Sequence, residues 1–196
     1  MWSAWADHLG VPRLTFLAVL GAVIERGGDH REVFELFRPG IDLRAELEGS
    51  YATDLVDVIG PEDLYPDAIP CLRAVAERGY RLGVIGNQPS SAEIMFRQAT
   101  IPIELVASSA TWGVAKPDPA FFARIASDFA LPPGEIAYVG DRLDNDVGPA
   151  AQAGMVAVFI RRGPWAWIQA GRSTPAEAAI VVESLAELPD ALESIG

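Results

Sequence analysis

The stretch Val139-Gly140-Asp141-Arg142-Leu143-Asp144-Asn145-Asp146 is the most informative part of the sequence, because it places two or three carboxylates in the first turn after a short apolar strand. A buried strand that ends at Gly140 delivers the next side chain to the edge of its sheet, and the glycine allows a close backbone approach. In an open parallel sheet, ligands bind outside the carboxyl ends of the strands. The stretch therefore predicts a sheet edge that carries acidic side chains.

After Tyr65 the chain alternates between short apolar runs and single helices. The runs predicted as strands are Tyr80–Ile85, Leu105–Ala107, Ile136–Val139, Met155–Ile160 and Ile180–Val182. Between the first two runs, Ser90 and Glu93 have the spacing of a capping box. Strands joined by single helices need crossover connections, which favour parallel pairing and helices on both faces. The pattern predicts an α/β fold with a doubly wound, mainly parallel, Rossmann-like sheet.

The first sixty residues are predicted to be helical. Pro12 can open one helix, Asp29 with Glu32 can cap a second, and a third can run from Asp42 to about Val58. These helices are amphipathic, so they need a partner surface. We expect a helical cap region over residues 1–62 and an α/β core over residues 63–196.

The composition restricts the classes of partner. The chain has 196 residues, is half hydrophobic and carries a formal net charge of -12, with a pI near 4.5. This charge disfavours nucleic acid or an anionic membrane surface as the main partner and favours a bound cation. The single cysteine, Cys71, excludes an internal disulfide. The sequence shows no secretion signal and no run of about 18 apolar residues, so we expect a cytoplasmic protein.

Asp141 is the first candidate for a functional side chain, because it lies directly after the predicted strand. Magnesium prefers one or two carboxylates together with water and substrate oxygens, and Asp141 with Asp146 nearby can partly supply them. In the alternative interpretation, residues 144–146 only cap the next helix and favour its positive end. We favour metal binding for Asp141 and capping for Asp144 and Asn145.

Two further loops after predicted strands contain polar groups. Lys116 lies in a loop that two prolines stiffen, and a fixed ammonium there can neutralise a phosphoryl group or a nucleophilic carboxylate. Asn87 ends the strand before it, so its amide can face the same sheet edge. Each residue also has a plainer interpretation, a solvated lysine and an ordinary turn.

Taken together, these segments resemble the second, third and fourth motifs of the haloacid dehalogenase-like (HAD) hydrolase superfamily. The matching segments are Gly83-Val84-Ile85-Gly86-Asn87, Lys116-Pro117-Asp118-Pro119, Val139 through Asp146, and Ala150-Ala151-Gln152-Ala153-Gly154-Met155. The resemblance covers most of the chain after Tyr65, and the helical region before it is similar to the cap that family members insert after their first motif. The three motifs in this order are specific.

The resemblance implies a hydrolase that acts on a small phosphorylated metabolite with magnesium (Mg2+). Lys116 would steady the nucleophile and the phosphoryl group, Asp141 would bind the metal, and Asp146 would support the metal site or its waters. The second motif usually has a serine or threonine that hydrogen-bonds the phosphoryl oxygen. This chain has Gly86 at that position, so we expect the contact to be lost or to pass to Asn87.

The first motif of the family, an Asp-x-Asp at the end of a central first strand, has no match in this sequence. Asp7 follows Trp5-Ala6 rather than an apolar strand, and Asp144-Asn145-Asp146 belongs to the fourth motif. Covalent catalysis through an aspartyl phosphate therefore has no visible nucleophile. A missing strand would also open a gap of about 9 to 10 Å between the strands that end at Gly86 and Gly140. Either those strands pair directly, or the isolated chain is poorly stable.

Three functions are compatible with these features. The first is an HAD-like phosphatase whose sequence, as written, starts inside or just before the cap, so that this chain is inactive. The second is a non-catalytic binding or regulatory protein that keeps the fold and the metal loop. The third is a 2-haloacid dehalogenase, because the same scaffold can displace halide with an aspartate.

Overall fold

The computed structural model describes residues 2–48, 64–88, 90–98, 101–171 and 176–195. The Cα positions divide the chain into two compact units, Met1–Val58 and Ile59–Gly196. The helix predicted from Asp42 is present over Leu43–Glu48, and the rest of that prediction lies outside the described residues.

The described part of the first unit is helical, as predicted. Its helices are α1 (Trp2–His8), α2 (Arg13–Glu25), α3 (Glu32–Phe37) and α4 (Leu43–Glu48). Aromatic side chains form its core, because Phe16 and Phe34 are buried and the ring centroids of Trp5 and Phe34 are 4.6 Å apart. None of the described helices is by itself long and apolar enough to cross a membrane, although α1 and α2, bent by 117°, pass that test as a pair.

The described part of the second unit contains five strands, and all of their pairings are parallel. They are β1 (Leu82–Gly86), β2 (Ile103–Ser108), β3 (Ala137–Gly140), β4 (Val156–Ile160) and β5 (Ile180–Val182). β1 pairs with β2, and β3, β4 and β5 form a second sheet in that order. Each strand overlaps one of the predicted apolar runs, and the predicted parallel α/β architecture is confirmed.

Helices connect these strands. They are α5 (Ala68–Glu77), α6 (Ser91–Gln98), α7 (Ser109–Trp112), α8 (Pro119–Phe129), α9 (Gly148–Gln152), α10 (Gly163–Ala170) and α11 (Leu188–Glu193). α8 begins where its sequence requires, because Asp118 Oδ1 accepts a hydrogen bond from the Ala120 backbone N–H at 2.9 Å and Pro119 occupies the first helical position. A π-helical turn, Leu143–Val147, precedes α9.

Strand β4 shows that the sheet is covered on both faces. Ala157 and Phe159 belong to a core cluster with Phe121 and other residues of α8. Val158 and Ile160 belong to a second cluster with residues of α5 and α11. Because successive side chains of a strand point to opposite faces, the two clusters lie on opposite sides of β4. This arrangement is the doubly wound packing that the sequence predicts.

β1 and β3 do not pair with each other, so the direct pairing that was one of the two predicted alternatives is wrong. Both strands line one cavity of about 460 Å³. Val75 of α5 and Phe129 of α8 also line it, which means that helices from both core clusters border the gap. Among the described residues, no backbone hydrogen bond joins β1 to β3.

The Glu93 carboxylate bonds to other residues than the capping-box prediction with Ser90 implies. Its Oε1 accepts hydrogen bonds from Ser108 Oγ at 2.7 Å and Thr111 Oγ1 at 2.6 Å, and its Oε2 accepts one from Arg97 Nη2 at 2.9 Å. Burial raises the pKa of Glu93, but these hydrogen bonds outweigh it and lower the pKa to about 2. The carboxylate thus fastens α6 to the carboxyl end of β2.

Replacing Glu93 with glutamine should make the free energy of unfolding less dependent on pH in the acid range. A carboxyl group whose pKa falls from 4.5 to about 2 on folding stabilises the fold above pH 4.5, and this stabilisation is lost as the pH falls through 2. Glu93→Gln should lower the free energy of unfolding by about 1 to 3 kcal/mol at pH 7, and the difference should shrink between pH 4.5 and pH 2. Urea denaturation over that pH range measures it. Glu77→Gln, on an exposed position of α5, is the control, and an equal loss at every pH would contradict the prediction.

Candidate active site

Lys116 and Asp146, the last residue of the Val139–Asp146 stretch, form a largely buried ion pair. Lys116 Nζ lies 2.5 Å from Asp146 Oδ1, and the two side chains are 13% and 4% exposed. Burial lowers the pKa of Lys116, but its interactions with Tyr138 and Asp146 outweigh burial and raise the pKa above its ordinary value. Lys116 is the only lysine in the sequence, and it remains charged in a largely dry position.

Backbone geometry holds Asp146 in this pair. The Arg142 backbone N–H donates to Asp146 Oδ2 at 3.1 Å, and the Val147 N–H donates to the Arg142 carbonyl at 3.0 Å, five residues back. This π-helical turn aims Asp146 inward, and such turns are frequent at functional sites. A Cβ atom at Gly140 would lie 2.3 Å from Asp146 Cβ, so only glycine fits at the end of β3.

Asn87 joins the loop after β1 to the loop of Lys116. Its Nδ2 donates to the Lys116 carbonyl at 2.9 Å, and its Oδ1 accepts from the Lys116 backbone N–H at 2.8 Å. Both polar atoms of the amide therefore contact the Lys116 backbone. Gly86, in front of Asn87, pairs in register with Ser108 of β2 and has no side chain to offer a ligand.

Asp141 lies beside this pair at the carboxyl end of β3. Burial raises the pKa of Asp141 to about 6, the charge of Asp146 adds to this, and Lys116 and Arg142 act in the opposite direction. A carboxylate that is costly to ionise for these reasons gains from a nearby cation. The described residues contain no group of three or more His, Cys, Asp or Glu side chains that could hold a metal. Two carboxylates with water and substrate oxygens remain compatible with magnesium.

Asp144 lies in the first turn after Arg142, as predicted, but its side chain makes no cap hydrogen bond, so the capping part of the prediction is wrong. Its two oxygens accept hydrogen bonds from Arg142 Nη2 at 2.7 Å and Gln169 Nε2 at 2.8 Å, and Gln169 Oε1 accepts from the Leu143 backbone N–H at 2.7 Å. Burial raises the pKa of Asp144, but the hydrogen bonds from Arg142 and Gln169 outweigh it and lower the pKa. This network ties α10 to the π-helical turn.

Tyr138 is a further side chain of the site that was not predicted from the sequence. This side chain is 8% exposed, and the centre of its ring lies 5.7 Å from Lys116 Nζ. Burial raises the pKa of Tyr138 to about 12, while Lys116 acts to lower it. A tyrosine in an otherwise aliphatic strand signals that its hydroxyl needs a polar partner when it is buried.

The structure brings the predicted residues together at one edge of the second unit. Near the ends of β1 and β3, Lys116 pairs with Asp146, Asn87 bonds to the Lys116 backbone, and Asp141 interacts with the charges of Lys116 and Asp146. The arrangement combines a buried ammonium with two carboxylates, a set that can bind a cation and an anionic group side by side. The catalytic and metal-binding roles of these residues stay predictions.

Comparison with known proteins identifies relatives of this chain. The profile of one family, described as haloacid dehalogenase-like hydrolase, matches residues 11–154. A glyceraldehyde 3-phosphate phosphatase of Methanopyrus kandleri is 36% identical over 153 residues, which are 73% of this chain and 64% of that protein. A phosphoserine phosphatase of Thermus thermophilus is 33% identical over 103 residues, or 51% of this chain and 41% of that protein. The chain thus spans less than two thirds of the length of these relatives.

Solved structures give the same fold. A HAD phosphatase from Thermococcus onnurineus has a TM-score of 0.58 and 26% identity, with 97% of this chain and 86% of that chain covered. An L-2-haloacid dehalogenase from Xanthobacter autotrophicus has a TM-score of 0.64 and 22% identity, with 94% and 84% covered. The second match supports the fold alone.

Replacing Gly140 with alanine should break the Lys116–Asp146 pair. The added methyl group must displace the Asp146 side chain, and overpacking of this kind costs about 1 to 3 kcal/mol. Urea denaturation should show that loss for Gly140→Ala and a much smaller change for Gly134→Ala. At Gly134 a Cβ atom meets nothing closer than 3.9 Å, which makes it a matched control. Equal effects of the two substitutions would contradict the prediction.

Proposed function

The chain belongs to the haloacid dehalogenase-like hydrolase family, and from this membership we propose that it is a magnesium-dependent phosphatase of a small phosphorylated metabolite. The convergence of Lys116, Asp141 and Asp146 carries the proposal. The relatives that are at least 30% identical include phosphatases of glyceraldehyde 3-phosphate and phosphoserine. Their activities favour hydrolysis of a phosphate ester over displacement of halide. The activity of the whole protein is part of the proposal, because the chain covers only part of these relatives.

Lys116 is proposed to stabilise the charge of the phosphoryl group. A cation that is fixed before the reaction and shielded from water stabilises developing negative charge more strongly than a solvated one. The hydrogen bond to Asp146 and the backbone contacts of Asn87 give Lys116 this fixed position. Asp146 therefore acts as a positioning residue for the ammonium as well as a neighbour of the metal.

Asp141 and Asp146 are proposed to hold Mg2+. Asp141 fits a metal ligand best, because its carboxyl group is partly buried beside the charge of Asp146, and both raise its pKa to about 6, so that a cation would favour its ionised form. Both oxygens of Asp146 already accept hydrogen bonds, so its part is to support the site or its waters. When bound, magnesium neutralises charge on phosphoryl oxygens.

The phosphoryl oxygens are proposed to contact Lys116 and the loop at Gly86 and Asn87. Gly86 offers no hydroxyl group, and the Asn87 amide is engaged with the Lys116 backbone. The absence of a serine or threonine side chain leaves the backbone of this loop to meet the substrate. Asn87 then acts mainly by aligning Lys116 with that backbone.

The nucleophile is proposed to be an aspartate from polypeptide outside the given sequence, so that the chain as written is inactive. No aspartate before Lys116 ends an apolar strand in the sequence, and a covalent aspartyl phosphate needs such a carboxylate beside the lysine. The alternative is a non-catalytic protein that binds magnesium and phosphate without turnover. The further alternative is a 2-haloacid dehalogenase, and solved structures of such enzymes, at 21% and 22% identity, share the fold with this chain.

Removing the Asp141 carboxylate should weaken magnesium binding. Asp141→Asn removes one negative charge from the proposed ligand set and should raise the Kd for Mg2+ by about tenfold or more, as measured by isothermal titration calorimetry with MgCl2. Asp144→Asn is the matched control, because Asp144 lies three residues away and is bonded to Arg142 and Gln169. Unchanged affinity in Asp141→Asn would remove this residue from the metal site.

Phosphate release tests the reaction itself. The chain as given should release no phosphate from glyceraldehyde 3-phosphate, phosphoserine or phosphoglycolate with MgCl2. The protein extended by the in-frame coding sequence upstream of Met1 should release it, and Lys116→Met in that protein should reduce the rate by about a hundredfold or more. A halide-release assay with 2-chloropropionate runs beside it.

Each outcome of this assay selects one function. Turnover by the chain as given would contradict its proposed inactivity. Halide release without phosphate release by the extended protein would establish the dehalogenase. Binding of magnesium and phosphate by the extended protein without any turnover would establish the non-catalytic alternative, as would an upstream sequence that contains no apolar strand ending in aspartate.

A further inference from the structure

Gln169, near the end of α10, bonds to the π-helical turn at two points. Its Oε1 accepts a hydrogen bond from the Leu143 backbone N–H at 2.7 Å, and its Nε2 donates to Asp144 Oδ1 at 2.8 Å. A backbone N–H can only donate and a carboxylate can only accept, so these two partners fix the orientation of the Gln169 amide. The turn is therefore held by a side chain that is distant in sequence.

The bond to Leu143 fixes the peptide group between Arg142 and Leu143. This group is planar and trans, so its N–H and its C=O point in opposite directions and rotate together. Gln169 holds the N–H, and the C=O accepts hydrogen bonds from the backbone N–H groups of Asp146 at 2.9 Å and Val147 at 3.0 Å. Rotation of this one peptide group would therefore break the bonds that close the π-helical turn.

The same turn sets the direction of the Asp146 carboxylate. Its Oδ2 accepts a hydrogen bond from the Arg142 backbone N–H at 3.1 Å, and its Oδ1 lies 2.5 Å from Lys116 Nζ. An aspartate side chain is short, so both contacts depend on where the turn places the Asp146 backbone. The position of the ion pair thus depends on the peptide group that Gln169 holds.

α10 follows the acidic stretch along its length. At Gly163, the first residue of α10, a Cβ atom would lie 3.2 Å from Asp141 Oδ2. The guanidinium carbon of Arg142 lies 5.3 Å from the centre of the Trp165 ring. These contacts and those of Gln169 follow the same order along both segments, so the helix supports the stretch from one end to the other.

We propose that Gln169 is a positioning residue, which holds the Lys116–Asp146 pair in place through the backbone of the π-helical turn. It acts by selecting the orientation of the peptide group between Arg142 and Leu143. As a role in phosphoryl transfer, this inference rests on the proposed function, in which Lys116 stabilises the phosphoryl group. The hydrogen bonds themselves need neither magnesium nor substrate, so the chain as given is sufficient for the test.

Removing the Gln169 side chain should displace Lys116, the only lysine in the sequence. In protein that carries 13Cε-labelled lysine, without magnesium, Gln169→Ala should move the single ε-CH2 NMR signal toward its position in Asp146→Asn. The Tyr138 ring, centred 5.7 Å from Lys116 Nζ, makes this signal sensitive to small movements. Hydrogen exchange of the Leu143 amide should become about tenfold faster or more, because this amide loses its acceptor.

A pair of substitutions separates positioning from a general loss of packing. Gln169→Glu keeps an acceptor for the Leu143 N–H but places a second carboxylate against Asp144, so repulsion should reproduce both effects of Gln169→Ala. Adding Asp144→Asn to Gln169→Glu removes the repulsion and supplies a donor from the other side, so both measurements should return toward those of the unmodified protein. Asp144→Asn alone should change neither, because an amide oxygen still accepts from Gln169 Nε2. Gln152→Ala, at an exposed position of α9, is the control and should also change neither.

The following results would overturn the inference. They are an unchanged Lys116 signal or an unchanged Leu143 exchange rate in Gln169→Ala, equal effects of Gln152→Ala, and failure of Asp144→Asn to restore the Gln169→Glu protein. If Gln169→Ala fails to fold, the comparison of Gln169→Glu with and without Asp144→Asn decides. Failure of the proposed function would instead appear as absent magnesium binding or phosphate release while these NMR and exchange results stay as expected.

Discussion

The buried contact between Lys116 and Asp146 organises the candidate active site. An ion pair in a dry position is favourable only when its geometry is fixed and its remaining polar atoms are satisfied, and loss of either partner leaves an uncompensated charge. Three separate parts of the chain meet this requirement here. The π-helical turn directs Asp146, Gly140 leaves space for it, and Asn87 holds the Lys116 backbone. Each of these features is local, and each helps to fix the position of Lys116 or Asp146 in the ion pair.

The electrostatics of the site explain why it suits a cation and an anion together. The chain has a formal net charge of -12 and one lysine, and that lysine is placed among carboxylates. Its charge is matched by Asp146, while Asp141 remains with a raised pKa. A divalent cation would compensate Asp141 and leave a surplus of positive charge for a phosphoryl group. This balance supports the proposed chemistry more specifically than the fold does, because one fold hosts many reactions.

The strands and the convergence of the loops could be predicted from sequence, because apolar runs and glycine or proline positions are local signals. The hydrogen-bond partners of the polar side chains could not be predicted in this way. Glu93 has the spacing of a helix cap but bonds to Ser108 and Thr111, and Asp144 precedes a helix but bonds to Arg142 and Gln169. In both cases tertiary contacts offered more donors than the local backbone. The unmatched first motif raised the question of a gap between β1 and β3, but the sequence alone could not decide whether these strands pair, and the structure shows that they do not.

Measuring the pKa of Lys116 is the most direct test of the ion pair with Asp146. Because the sequence contains one lysine, labelling with [ε-13C]lysine gives a single NMR signal that can be titrated without assignment. The ion pair predicts a Lys116 pKa above the ordinary value of 10.5 in the unmodified protein and a lower pKa in Asp146→Asn, since burial then acts with less opposition. A Lys116 pKa at or below 10.5 that does not respond to Asp146→Asn would contradict the ion pair and, with it, the arrangement of the site.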